Sequence, residues 1–83
     1  MALNFPNPSR TYEPAERRIR FWGYDNSREV VFLIDDAVTL RLGRSAGSDE
    51  SSVLEAFDGH RSEIMTLAQK MYKGDPRRKY AIS

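Results

Sequence analysis

Arg18, Arg20, Trp22 and Tyr24 stand at alternate positions and carry the most suggestive chemistry in the chain. On a strand they share one face, so guanidinium groups and aromatic rings point the same way. Rings for stacking bases beside cations for phosphates are what a single-stranded nucleic-acid binder needs. Arg77, Arg78 and Lys79, with Lys73, would extend such a surface. The charge balance speaks against it: 13 Lys and Arg face 12 Asp and Glu, a net charge of +1, whereas dedicated binders are markedly basic. That value averages an acidic middle and a basic end. Residues 35–72 hold four cations against seven acids, and residues 73–83 hold four against one. A short basic end is ordinarily just solvated, so nucleic-acid binding ranks as the alternative reading.

The same strand face supports a second reading. If the strand pairs with residues 29–34, Trp22, Val31 and Leu33 form an apolar patch flanked by Arg20 and Tyr24. Either an N-terminal arm bearing Leu3 and Phe5 folds over that patch, or a second subunit or another protein does. Self-association or a protein partner is therefore the leading functional expectation, with Arg20, Trp22, Tyr24, Val31 and Leu33 as the contact residues.

Three further residues sit where their types are unexpected. His60 falls on the apolar arc of a predicted helix, one turn from Phe57 and from Ile64. A buried imidazole near Glu63 or Asp58 could work as an acid or base, but no nucleophile motif or second histidine accompanies it. A packed, hydrogen-bonded histidine is the simpler account. Arg61 lies on the same arc and calls for a carboxylate partner, such as the Asp35-Asp36 pair, or an outward-reaching stem. Gly59 lies on the polar arc, where it costs about 1 kcal/mol relative to alanine. With Ser62 and Thr66 it makes a stripe of small residues that would admit another helix, although a merely tolerated glycine suffices.

Composition removes whole classes of chemistry. There is no cysteine and one histidine, so thiolate sites and histidine clusters are absent from the single chain. No phosphate loop, calcium loop, metal-ligand spacing or nucleophile elbow occurs. The expectation is a non-enzyme with no cofactor and no metal. No apolar run approaches the ~18 residues of a membrane span, and the N-terminal residues do not resemble a signal peptide. Forty per cent hydrophobic residues and a mean hydropathy of −0.62 suit a soluble, cytoplasmic globular protein. At 83 residues the chain makes one domain with modest burial, for which oligomerisation is a natural supplement.

The elements that would position these residues follow from periodicity and turn chemistry. Residues 1–8, with Pro6 and Pro8, read as an extended arm. Residues 9–34 hold the strands, including a short one near Ser9–Tyr12 closed by a Glu13-Pro14-Ala15-Glu16 turn. Arg18–Tyr24 and Glu29–Ile34 are β-branched and aromatic around a turn at Asp25-Asn26-Ser27-Arg28, which predicts a hairpin. Pairing Tyr24 with Glu29 puts Ile19, Phe21 and Gly23 opposite Ile34, Phe32 and Val30 on one apolar face. It puts Arg20, Trp22 and Tyr24 opposite Leu33, Val31 and Glu29 on the other.

Residues 35–43 fit a short helix capped by Asp35 or Asp36 and followed by Gly43, although Val38, Leu40 and Leu42 also alternate as a strand would. Residues 44–48 read as a loop. One long helix is predicted over residues 49–73, starting at the Ser52–Glu55 capping box or a turn earlier, and stopped by Gly74 and Pro76. Val53, Phe57, Ile64, Leu67, Ala68 and Met71 form its apolar arc. Residues 74–83 are a basic tail or a last short strand. The sum is an α+β domain: a small antiparallel sheet with one long C-terminal helix across one face and a short helix between.

Phe5-Pro6-Asn7-Pro8, Arg20-Phe21-Trp22-Gly23-Tyr24-Asp25, Glu29-Val30-Val31-Phe32 and Phe57-Asp58-Gly59-His60-Arg61 occur in that order. In these segments the chain resembles a small bacterial family catalogued as domain of unknown function 1488, and most of all its alphaproteobacterial members. The resemblance spans nearly the whole chain. It implies a compact α+β domain with strands before a long helix, and it implies no activity and no functional residues.

Overall fold

The computed structural model describes residues 3–6, 9–44, 47–75 and 77–83. Among these the chain order is β1 (Leu3–Asn4), β2 (Arg10–Glu13), β3 (Arg18–Asp25), β4 (Arg28–Asp35), α1 (Asp36–Gly43), α2 (Glu50–Gly59), α3 (Arg61–Met71) and β5 (Lys79–Ile82). The class is α+β. The β3–β4 hairpin has the register predicted from its alternation: Ile19 pairs with Ile34, Phe21 with Phe32, Trp22 with Val31 and Tyr24 with Glu29. Pairing runs one step further, Asp25 with Arg28, which shortens the turn to Asn26 and Ser27. Asn26 takes the left-handed conformation, φ 59°, which an asparagine tolerates better than most residues. Leaving β2, Arg17 does the same at φ 54° as its amide bonds the Pro14 carbonyl.

Burial alternates along the hairpin as a sheet covered on one face requires. Ile19, Phe21, Val30, Phe32 and Ile34 are fully buried and join Val53, Phe57, Ile64, Ala68, Tyr72, Tyr80 and Ile82 in one hydrophobic cluster. Phe21 and Phe32 stack at 5.5 Å between ring centroids, and Phe57 from α2 meets Phe21 at 5.3 Å. Val38, Leu40 and Leu42 bring α1 onto the same cluster. All three helices thus lie on one face of the sheet.

The sheet is mixed where an antiparallel one was expected. Its order is β1 and β2 beside β3, then β4, then β5, and β5 runs parallel to β4. The cause is the connection: the helices carry the chain back along one face, so it re-enters the sheet in the direction of β4. Parallel neighbours need such a crossover. Residues 79–82 are therefore a strand, with Tyr80 and Ile82 buried.

The single long helix is also corrected. It breaks at His60 (φ −123°, ψ 25°) into α2 and α3. Gly59, the weakest helix former in the segment, precedes the break, and His60 Nδ1 bonds Glu63 Oε1 at 2.9 Å. On an unbroken helix His60 and Arg61 would face the core, whereas here their side chains are about one-third and one-quarter exposed, at 33% and 27%. The break lets Phe57, Ile64 and Ala68 stay fully buried without burying a guanidinium. α2 begins at Glu50 after Asp49, a turn before the capping box.

Gly43 is the last residue of α1, and Arg44 takes the left-handed position beyond it at φ 50°. A Cβ on Gly43 would come within 2.7 Å of the Ala56 Cβ, so the glycine serves close approach of α1 to α2 and not the chain reversal. Of the loop expected at 44–48, residues 45 and 46 lie outside the described residues. Asp36 is buried, accepts from Tyr12 Oη at 3.2 Å and faces Arg17 at 3.6 Å, while Thr39 Oγ1 donates to the Asp35 carbonyl. Neither aspartate caps the helix with its side chain; Asp36 ties it to β2.

Tyr72 closes the core at the far end of α3. Its hydroxyl donates to Asp25 Oδ2 at 2.5 Å, and its ring meets Tyr80 edge-on at 5.6 Å. Burial, aided by the Asp25 carboxylate, pushes its pKa up from 10.0 to about 12. A phenol whose folded pKa lies above its unfolded value contributes stability in full below about pH 10 and loses it as pH rises towards the folded value. The thermal midpoint is therefore expected to fall between pH 10 and 12, with a shallower fall in Tyr72→Phe. Melts followed by circular dichroism check this, and equal slopes in the two proteins would contradict the assignment.

Candidate functional site

The second face of the sheet carries no helix among the described residues. Strand alternation puts Arg18, Arg20, Trp22 and Tyr24 of β3 there, with Glu29, Val31, Leu33 and Asp35 of β4. β2 adds Thr11 and Glu13, and β5 adds Lys79 and Ala81. Among the described residues of the N-terminal arm, Leu3 and Phe5 pack against the core and not on this face. Phe5 turns to the other side, its ring 6.1 Å from Phe21 and 5.7 Å from Phe32. A Cβ on Gly23 would strike the Phe5 ring and the Asn4 carbonyl, each at 2.7 Å. A glycine in the strand centre is the opening through which Phe5 joins the core.

Five residues singled out in the sequence as contacts are thus neighbours on one surface. Arg20, Trp22, Tyr24 and Val31 are half-buried. Leu33 is only 6% exposed, lying between Arg20 and Ala81 across the strands, and it supports the face from beneath. A shallow groove of about 280 Å³ opens at Trp22, lined by Thr11, Glu13, Arg20, Glu29 and Val31. Its electrostatics centre on Glu13, which accepts from Arg18 Nε at 2.7 Å and faces Arg20 Nη2 at 3.2 Å. The bond from Arg18 holds the Glu13 carboxyl below the usual carboxylate range, against burial and with help from Arg20. Arg20 Nε is buried and has no hydrogen-bond partner among the described residues.

Glu13 and Thr11 were not legible as site residues, because only the antiparallel pairing of β2 with β3 brings them beside Arg18 and Arg20. A readable signal did exist: a short strand that runs directly into the turn at residues 14–17 folds back on the strand that follows.

The basic end is dispersed by the topology. Only Lys79 reaches the open face, beside Val31. Arg77 is held by Asp75 at 3.3 Å, Arg78 lies over the Tyr80 ring at 5.7 Å, and Lys73 is exposed at the end of the helix layer.

Elsewhere, His60 borders a groove of about 260 Å³ with Gly43, Ser52, Glu55, Ala56 and Gly59. Arg61 reaches Asp58 at 3.5 Å and lies 5.0 Å above the Phe57 ring, two contacts within its own helix layer in place of the expected Asp35-Asp36 pair. Asp58 is shared with Arg10, whose Nε and Nη2 each bond it at 2.9 Å. That fork holds the Asp58 carboxyl below the usual range and ties β2 to α2. A Cβ on Gly59 would meet nothing within 4 Å. No three His, Asp or Glu side chains among the described residues converge as metal ligands would, and no helix among them is long and apolar enough to cross a membrane.

A family model described as Protein of unknown function (DUF1488) matches residues 3–83 of the chain. No curated protein and no solved structure matches it.

Proposed function

The chain belongs to the family described as Protein of unknown function (DUF1488), and from that premise we propose that it is a non-enzymatic protein-interaction module that docks through its open sheet face. The observation that carries this reading is the one-sided helix layer. It leaves Trp22 and Val31 half-exposed at the centre of a four-strand surface. A tryptophan on a shallow, charge-rimmed groove is the usual form of an interface anchor.

Single-stranded nucleic acid is the competing occupant of the aromatic row. The pairing of Arg18 and Arg20 with Glu13 disfavours it, since phosphates would have to displace a carboxylate from both cations.

A photoreactive amino acid in place of Val31 tests the reading in cells. Protein adducts are expected from that position and not from the same group at Gln69, exposed on α3. Adducts to nucleic acid, or none from position 31, would refute it. Fluorescence anisotropy with labelled oligonucleotides at low salt is expected to show no binding that depends on Arg20 and Trp22.

A further inference from the structure

We propose that the occupant of the open face is a second copy of this chain, docked face to face about a two-fold axis that runs between β3 and β4 and parallel to them. This inference rests on reading that face as a protein-docking surface, and it names the partner.

Charge is the first argument. Arg18, Arg20 and Lys79 on the face are matched in number by Glu13, Glu29 and Asp35. A surface neutral in sum but holding both signs cannot select a strongly acidic or basic partner, whereas it can complement itself. Complementarity under a two-fold depends on where the signs lie, and the register decides that. The axis exchanges the β3 and β4 columns at constant height, so each cross-strand pair becomes a contact between copies. The pair Arg18–Asp35 puts Arg18 over the partner's Asp35. Trp22–Val31 puts the ring over an aliphatic side chain, Arg20–Leu33 sets the guanidinium over a position whose own side chain is covered and uncharged, and Tyr24–Glu29 offers a hydroxyl to a carboxylate. No like charges meet across these columns. A two-fold axis across the strands would instead set Asp35 against the partner's Glu29. Aligned sheets pack within about 30° of parallel, which keeps these contacts at the centre of the face.

Size is the second argument. Eight-residue β3 and β4 span about 26 Å at ~3.3 Å per residue, and four strands at ~4.8 Å spacing span about 19 Å. With the flanking strands shorter, the flat area is roughly 400 Å², and roughness raises what each copy buries. The total falls near the ~1,000–1,200 Å² lower bound of specific interfaces. Such an area corresponds to a reversible dimer that concentration titrates.

The chain contains one tryptophan, and it stands at the centre of the proposed contact. The purified full chain is followed by sedimentation velocity and intrinsic fluorescence from about 1 μM to about 1 mM, the range in which a small interface titrates. The mass is expected to rise from 9.6 kDa to about twice that, and Trp22 emission to move to shorter wavelength along the same curve. Val31→Arg keeps the reporter and is expected to move the midpoint at least tenfold to higher concentration. Ala81→Glu, an exposed position on the same face, is expected to do likewise and serves if the first variant does not fold.

A 9.6 kDa mass throughout overturns the second copy. In that case adducts of another mass from position 31 would leave the docking face standing, and no adducts would end both readings. A dimer with unchanged Trp22 emission that survives both substitutions lies elsewhere, as at the outer edge of β5, and also overturns the proposal.

Discussion

Replacing Phe57 with alanine is expected to lower the unfolding free energy by about 3–5 kcal/mol, the cost of a large-to-small change in a core that cannot collapse. Phe57 is fully buried and bridges the two layers, with its ring 5.3 Å from Phe21 of β3. On its other side Arg61 lies 5.0 Å above the ring. Truncation opens a cavity under both and removes the surface on which a partly buried guanidinium rests. A chain of 83 residues has about 4–12 kcal/mol in all at ~0.05–0.15 kcal/mol per residue, so the loss is about a quarter of the total or more. Urea unfolding should show a lower midpoint at unchanged slope. Phe57→Leu, which keeps most of the volume, should fall between the two proteins. A loss under about 1 kcal/mol would show that the layers do not meet through this ring.

Gly43→Ala is expected to cost about 1–3 kcal/mol by overpacking. The added methyl would lie 2.7 Å from the Ala56 Cβ and 3.3 Å from its Cα. Neither atom is the free end of a flexible side chain, so α1 and α2 must move apart. The same chemical change at Gly59 has the opposite sign. Nothing lies within 4 Å of its added Cβ, the residue is helical, and alanine there gains about 0.5–1 kcal/mol through helix propensity and a less flexible unfolded chain. For a domain of this size about 1 kcal/mol moves the thermal midpoint by roughly 4–8 °C. Calorimetry should thus separate the two variants clearly, Gly43→Ala below the parent and Gly59→Ala above it. A tolerated alanine at position 43 would mean that the helices have room to slide.

The hairpin was the most legible part of the fold. Period-two alternation with β-branched and aromatic residues leaves one register that keeps Ile19, Phe21, Val30, Phe32 and Ile34 on one face, since a one-residue slip would expose them all. The helical character of residues 50–71 was equally readable from spacing. The break at His60 was announced by two polar residues in succession on the apolar arc, directly after Gly59. Reading those residues as buried misfits missed that backbone geometry can turn them outward at less cost than burying them. Arg20, Trp22, Tyr24, Val31 and Leu33 share a face because of the β3–β4 register. Glu13, which organises the charges of that face, went unassigned because only the β2–β3 register, and no pattern within residues 10–13, sets it opposite Arg18.

Local pattern in the sequence determined which residues form strands and helices, which hairpin face is apolar, and which chemistry the chain lacks for want of cysteines and clustered histidines. These follow from side-chain types at short separations. The tertiary structure decided the matters that depend on distant segments meeting. It turned β5 parallel to β4, because the helix layer must return the chain along one face. It sent Phe5 into the core through the opening at Gly23, scattered the basic end, and set Glu13 between Arg18 and Arg20. Trp22 and Val31 stay half-exposed for the same reason: the apolar arcs of the three helices among the described residues are all satisfied on one side of the sheet.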